Sequence, residues 1–197
     1  MNRAIFFDRD GTVNVEVDFL TSPQDLILLP GAADAVREAT AMGFKTIVIT
    51  NQSGIARGLL TETQLGDIHS ELKRQLELQG AHLDAIYYCP HHPGDGTDSY
   101  RATCDCRKPN IGMLTKAAAE FELDLKSSFV IGDRMRDVEA ARNAGATPIL
   151  VLTGYGEEEV RISREQGAPL PHVANSIFEA MQQVKRIAQQ EQFSPSH

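Results

Sequence analysis

Short, continuous apolar runs alternate along this chain with longer stretches whose apolar residues recur at helical spacing. The runs fall at 4–7, at 45–50 around Ile47-Val48-Ile49, at 85–88, at 129–131 and at 149–152. Runs this short and this apolar predict strands buried on both faces. Between the first two, Ala32, Val36, Ala39 and Met42 share one face of a helix predicted over 32–42 and stopped by Gly43. Thr61-Glu62-Thr63-Gln64 has the reciprocal pattern of a capping box. It opens a helix with Leu65, Ile68, Leu72 and Leu76 on one side, closed by Gly80. Further helices are predicted over 111–121, 138–144 and 176–188, and the polar residues 189–197 are expected to fray.

Strand–helix alternation with short connections predicts an α/β fold, a doubly wound parallel sheet with helices on both faces. The expected organisation is one domain over 1–190, including a loop at 89–107, then a polar tail at 191–197. In such sheets ligands bind beyond the carboxyl ends of the strands. Asp8, Asp10, Thr50, Arg107, Lys108 and Asp133 all follow strands or the long loop on that edge, so they should gather. Neither gap between them has room for a separate cap domain.

Charge and cysteine content narrow the partners. A formal net charge of −8 argues against a broad nucleic-acid or membrane footprint. No apolar run approaches the roughly 18 residues of a membrane helix, and too few apolar residues precede Asp8 for a signal-peptide core. Three cysteines are an odd set, and Cys104 and Cys106 are separated by one residue. That is a poor disulfide framework and points to reduced thiols in the cytoplasm. A monomer without nucleic-acid or membrane partners is expected.

The chemistry begins at Asp8-Arg9-Asp10-Gly11. Residues i and i+2 of a strand point to the same side, which predicts that Asp8 and Asp10 converge while Arg9 faces away. Two close carboxylates repel unless a cation or a proton intervenes. Asp133 and Asp137 in Gly132-Asp133-Arg134-Met135-Arg136-Asp137 add acid to the same edge, a donor set suited to magnesium. Thr50 offers a hydroxyl, and the amides of 51–54 can line an anion-binding concavity. Lys108 brings a point charge and Arg107 a fork for phosphate. Singly, these residues read as a strand end, a helix cap and solvated cations; their order along one edge favours a single site.

Cys89-Pro90-His91-His92 and Cys104-Asp105-Cys106 bracket a loop with little apolar material to hold it in place. Three thiolates and one imidazole satisfy tetrahedral zinc with no open position, as in structural sites. Spacing does not separate His91 from His92.

Asp8-Arg9-Asp10-Gly11-Thr12, Thr50, Lys108 and Gly132-Asp133 through Asp137 together resemble the four ordered motifs of the haloacid dehalogenase superfamily of phosphotransferases. The resemblance implies that Asp8 is a nucleophile forming an aspartyl-phosphate and that Asp10 is the general acid and base. It implies that Thr50 and Lys108 hold the phosphoryl oxygens, and that Asp8, the Asp10 carbonyl and Asp133 bind Mg2+. The zinc loop, with Thr50-Asn51-Gln52-Ser53-Gly54 and Cys104-Asp105-Cys106-Arg107-Lys108-Pro109, is similar to the branch of heptose-bisphosphate and histidinol-phosphate phosphatases. That branch implies Zn2+ on Cys89, His91, Cys104 and Cys106. It also implies a small phosphorylated sugar as substrate, losing its carbon-7 phosphate in the formation of nucleotide-activated heptose for surface glycans. Glu16, Phe19, Asn51, Gln52, Ser53, Arg107 and Arg134 would meet it. Where the branch carries an Asp-His-Gly-Tyr type of segment, this chain has Glu16-Val17-Asp18-Phe19, which predicts altered sugar contacts. The alternatives are histidinol phosphate in the same site, or a zinc-stabilised binding module without activity.

Overall fold

The computed structural model describes residues 1–96 and 99–193. Six strands form one parallel sheet: β1 (Ala4–Phe7), β2 (Lys45–Asn51), β3 (Ala85–Cys89), β4 (Phe129–Gly132), β5 (Thr147–Val151) and β6 (His172–Ala174). Their order is β3-β2-β1-β4-β5-β6, so the chain winds outward from β1 in one direction, then returns to β4 and winds in the other. The crevice expected at such a reversal lies between the ends of β1 and β4. Asp8 and Asp133 stand there, each the first residue after its strand.

Alternation along each strand divides the core between two faces. Ile5 and Phe7 of β1, Val48 of β2 and Phe129 and Ile131 of β4 pack on one side. Against them lie α1 (Ala32–Ala41), α3 (Glu62–Leu78) and α7 (Ile177–Phe193), through residues such as Val36, Leu72 and Val184. Ala4, Phe6, Ile47, Ile49 and Val130 face the other side, under α4 (Gly112–Phe121) and α5 (Met135–Ala144). Both faces are covered, which is why the strands read as unbroken apolar runs. Each fully buried Leu of α3 contributes roughly 1.5–3 kcal/mol by leaving water. The capping box forms as expected: Gln64 N donates to Thr61 Oγ1 at 3.2 Å, and Thr61 N donates to Gln64 Oε1 at 2.8 Å.

Several elements depart from the hydropathy pattern. A short helix α2 (Ser53–Ala56) follows β2, and α6 (Gly156–Glu165) and β6 are not announced by it at all. α6 places three glutamates in its first turn and buries only Gly156, Val160 and Ser163, so its apolar stripe is too thin to read. α5 begins at Met135 rather than 138, and α7 runs on to Phe193. Residues 194–197 of the expected tail lie outside the described residues. No helix among the described residues is long and apolar enough to cross a membrane.

Candidate active site

A cleft of about 190 Å³ opens at the carboxyl edge of the sheet, over the β1–β4 reversal. Asp8 and Thr50 lie at its base, with Asp10, Asn51, Gln52 and Ser53 beside them. Glu16, Phe19, Arg107 and Arg134 complete the set expected from the sequence. Asp18, within the segment expected to meet the sugar, also lines it, as do Arg136 and Tyr155, which were not expected.

Lys108 is fully buried behind Asp8. Its Nζ donates to the Ile49 carbonyl at 2.9 Å and lies 2.9 Å from Asp8 Oδ1 and 2.6 Å from Asp137 Oδ1. Both carboxylate contacts are ion pairs, and the aligned hydrogen bond of the ammonium goes to the Ile49 carbonyl. Burial pulls the Lys108 ammonium down, but Asp137 and Asp8 outweigh it and raise its pKa. The Asn51 side chain fixes the lysine backbone from both sides, donating to its carbonyl at 3.1 Å and accepting from its amide at 3.0 Å.

Asp8, Asp133 and Asp137 present carboxylate oxygens that all lie within 4.8 Å of one another. Burial first, then the charge of Asp137, pushes Asp8 up to about 6. Burial, then Asp8, pushes Asp133 up to about 8. The space around Asp133 is kept tight by glycine: a Cβ on Gly11 or Gly154, both at positive φ, would strike Asp133 Oδ2. The Lys108 ammonium and the charge of Arg136 together cannot neutralise three buried carboxylates, and oxygen donors at this spacing fit Mg2+. The candidate metal cluster thus includes Asp137 alongside Asp8 and Asp133, while the Asp10 carboxylate stands outside it.

Both raised carboxylates bind a proton more tightly folded than unfolded. Without metal, their effect on stability becomes less favourable as pH rises from about 4 towards about 8. The expected result is that magnesium raises the melting temperature more at pH 8 than at pH 5. Thermal denaturation with magnesium and with a chelator, at both pH values, checks this.

Arg9 overturns one expectation. It does not face away from the chemistry: its guanidinium is fully buried and holds Asp10, with Nη2 at 2.8 Å from Oδ2 and Nε at 3.1 Å from Oδ1. Asn14 and Gln52 donate to the same carboxylate at 3.0 and 2.9 Å. Burial pushes Asp10 up, yet Arg9 and these two amides outweigh it and hold its pKa below the usual value. His69 Nε2 lies 3.4 Å from Arg9 Nη1, and burial lowers that imidazole to about 3, so it is neutral. Gln52 also donates to Thr50 Oγ1 at 2.8 Å, and its backbone amide donates to the Cys89 carbonyl at 2.7 Å. Of the four amides expected to cradle an anion, that of Gln52 is thus already spent.

The loop 14–20 covers one side of the cleft. Asp18 takes φ of 58°, a left-handed conformation uncommon for a residue with a Cβ. Tyr155 holds it there, its hydroxyl donating to Asp18 Oδ1 at 2.7 Å. The Tyr155 amide donates to Asp133 Oδ2 at 2.9 Å, and the Arg134 guanidinium stacks 3.2 Å from its ring centroid. Tyr155 lies four residues past the end of β5, so the strand-end rule could have found it.

The cysteine loop closes as a second candidate metal centre. Cys89, His91, Cys104 and Cys106 bring their ligand atoms together, with Sγ–Sγ separations of 3.5 Å (89 to 104) and 3.2 Å (104 to 106). His91 Nδ1 lies 3.4 Å from Cys106 Sγ. His92 is excluded because its Nδ1 accepts the amides of Gly94 and Asp95 at 3.2 and 2.9 Å. Burial, added to by the Cys106 thiol, drives the Cys89 thiol up; such crowding favours a divalent cation that takes all three sulfurs as thiolates. The donors fit structural zinc. The loop carries Arg107, whose Nη1 donates to the His91 carbonyl at 3.0 Å, and leads directly into Lys108. Cys104→Ser is expected to empty the centre and, by releasing these two cations, to lower activity about 10- to 100-fold. Elemental analysis and phosphate release, measured on the same preparation, check this.

A HAD-hydrolase-like family model matches residues 105–180. The D-glycero-beta-D-manno-heptose-1,7-bisphosphate 7-phosphatase of Photorhabdus laumondii is 40% identical over 185 residues, covering 93% of this chain and 96% of its own. The chain belongs to the family of heptose-bisphosphate phosphatases within the haloacid dehalogenase-like hydrolases. The enzyme of the same name from Escherichia coli K12 is 40% identical over 184 residues, 93% of this chain and 94% of its own. The D,D-heptose 1,7-bisphosphate phosphatase from B. bronchiseptica, solved with magnesium and phosphate, superposes with a TM-score of 0.82 at 37% identity. It covers 94% of this chain and 99% of that one. As a member of this phosphatase family, the chain is a hydrolase of phosphoric monoesters, and its oxygen-donor cluster suits the magnesium found in that relative.

Proposed function

We propose that this chain removes the carbon-7 phosphate of D-glycero-D-manno-heptose 1,7-bisphosphate, in the β form named for its relatives, with Asp8 as nucleophile. The observation that carries the reading is Asp8 itself. It lies between Lys108 and Asp133 at the base of a cleft whose wall bears Arg107 and Arg134.

An Asp8 oxygen attacks phosphorus while the bond from phosphorus to the carbon-7 oxygen breaks, leaving an aspartyl-phosphate. Magnesium, held by Asp8, Asp133 and the Asp10 carbonyl with Asp137 close by, would neutralise phosphoryl charge. Lys108 and Thr50 hold phosphoryl oxygens, where positioning and charge neutralisation do most of the work. Asp10 protonates the departing sugar oxygen. Arg9, Asn14 and Gln52 keep Asp10 ionised in the free enzyme, so the proton arrives with the substrate phosphate, whose second pKa is about 6. In the second half-reaction Asp10 takes a proton from water, the water oxygen attacks phosphorus, Asp8 leaves as a carboxylate, and Asp10 then gives its proton to the departing phosphate or to solvent.

Glu16, Phe19 and Ser53 would meet the sugar, while Asn51 and Gln52 act mainly by holding Lys108 and Asp10. Action as a monomer belongs to this reading, and the unpaired thiols support a reducing, cytoplasmic setting. The test is phosphate release with magnesium, comparing both heptose bisphosphate anomers with histidinol phosphate. Preference for the β anomer is expected, and preference for the α anomer would overturn that part of the reading. Preference for histidinol phosphate would overturn the substrate and move the enzyme to amino-alcohol chemistry.

A further inference from the structure

Arg136 is a cation without a direct partner among the described residues: burial pulls its pKa down, and the charges of Asp8, Asp137 and Asp133 outweigh it and raise it, yet none of them pairs with it within 4.0 Å. It is the second residue of α5, where the helix macrodipole disfavours positive charge. It lines the cleft, yet its Nε is buried with no hydrogen-bond partner, and its side chain makes no ion pair within 4.0 Å among the described residues. Arg134, two residues earlier, is engaged with the Tyr155 ring and lies 3.6 Å from Glu159.

Arg136 and Arg107 line the same cleft as Asp8. The Arg136 charge is felt at Asp8, and after burial it is the largest influence lowering the pKa of Arg107. Two guanidinium groups that line one cleft and repel, neither with an ion-pair partner among the described residues, make a place for an anion that both can fork. Asp8 and Lys108 already serve the transferred group, so this place suits a second one.

We propose that Arg136 joins Arg107 in holding the anionic group that stays on the substrate, which makes Arg136 a specificity-determining residue for a sugar bisphosphate over a monophosphate. The proposal rests on the bisphosphatase reading above. Arg136 differs in role from Lys108: it selects the substrate through the group that does not react.

The test is the ratio of kcat/KM for heptose 1,7-bisphosphate to that for heptose 7-phosphate, measured on the full chain with magnesium and zinc bound. Arg136→Gln is expected to lower the ratio by about 10- to 100-fold, chiefly through KM for the bisphosphate, the scale of a lost charge-assisted hydrogen bond. Arg136→Lys, keeping charge but losing the fork, should lower it by about fivefold and decides the matter if the glutamine variant fails to fold. An unchanged ratio overturns the proposal. So does an equal loss on both substrates, which would place Arg136 on the transferred phosphoryl group. A wild-type ratio near one would instead sink the bisphosphatase reading, so the two failures are distinguishable.

Discussion

Asp8→Asn abolishes phosphate release, by at least about 10⁴-fold, the scale on which removing a covalent nucleophile acts. It does so without destabilising the metal-free protein. The amide is isosteric, and its oxygen can still accept from the Arg9 amide, now 2.7 Å from Asp8 Oδ1, and stay beside the Lys108 ammonium, now 2.9 Å away. What disappears is a charge that burial and Asp137 already disfavour, as the pKa of about 6 records. The melting temperature with a chelator present should hold or rise at pH 8, while activity vanishes. Magnesium should stabilise this variant less than the wild type. Turnover kinetics and thermal denaturation of one preparation test both halves; normal turnover would remove Asp8 from the chemistry.

Lys108→Met is expected to damage both folding and catalysis. The ammonium is fully buried, and it is the cation that reaches both Asp8 and Asp137. Removing one partner of such a cluster costs about 3–5 kcal/mol, because the carboxylates stay buried and uncompensated. Magnesium should restore part of that loss, since it neutralises the same oxygens. Activity with magnesium should still fall by about 10²–10³, the cost of losing a preorganised donor to the developing charge. Chemical denaturation with and without magnesium, with kcat on the same variant, separates the two contributions. Wild-type stability in the absence of magnesium would contradict the role given to this lysine.

What could be read from the chain follows from how local the signal is. β1, β2 and β4 are legible because both their faces are buried, so they are apolar throughout. The capping box opening α3 is legible because its two bonds lie within four residues. β6 is three residues long with an exposed His172, and too little of it is apolar to register. α5 begins before its periodic apolar residues do: Asp137 Oδ2 accepts the Arg134 amide at 3.1 Å and secures the first turn, whereas the apolar signal starts at Val138.

The site divides in the same way. Asp8, Asp10, Thr50, Lys108 and Asp133 follow from strand ends and motif order, which are properties of the sequence. Burial of charge is not such a property. Arg9 looks like any surface cation until the fold sets His69, sixty residues away, behind it. Asn51 and Gln52 resemble turn residues free to meet a ligand, but their amides turn inward to Lys108 and Asp10. His91 and His92 were equivalent by spacing, and the amides of Gly94 and Asp95 separate them.

Covalent capture on Asp8 is the most direct measurement. The enzyme would be mixed with heptose 1,7-bisphosphate and magnesium, quenched in acid within one turnover, reduced with borohydride and mapped by mass spectrometry. Borohydride converts an aspartyl-phosphate to homoserine, and the expected result is homoserine at position 8 and unmodified aspartate at 10, 133 and 137. Full phosphate release with no homoserine at position 8, or homoserine at another carboxylate, would contradict the account.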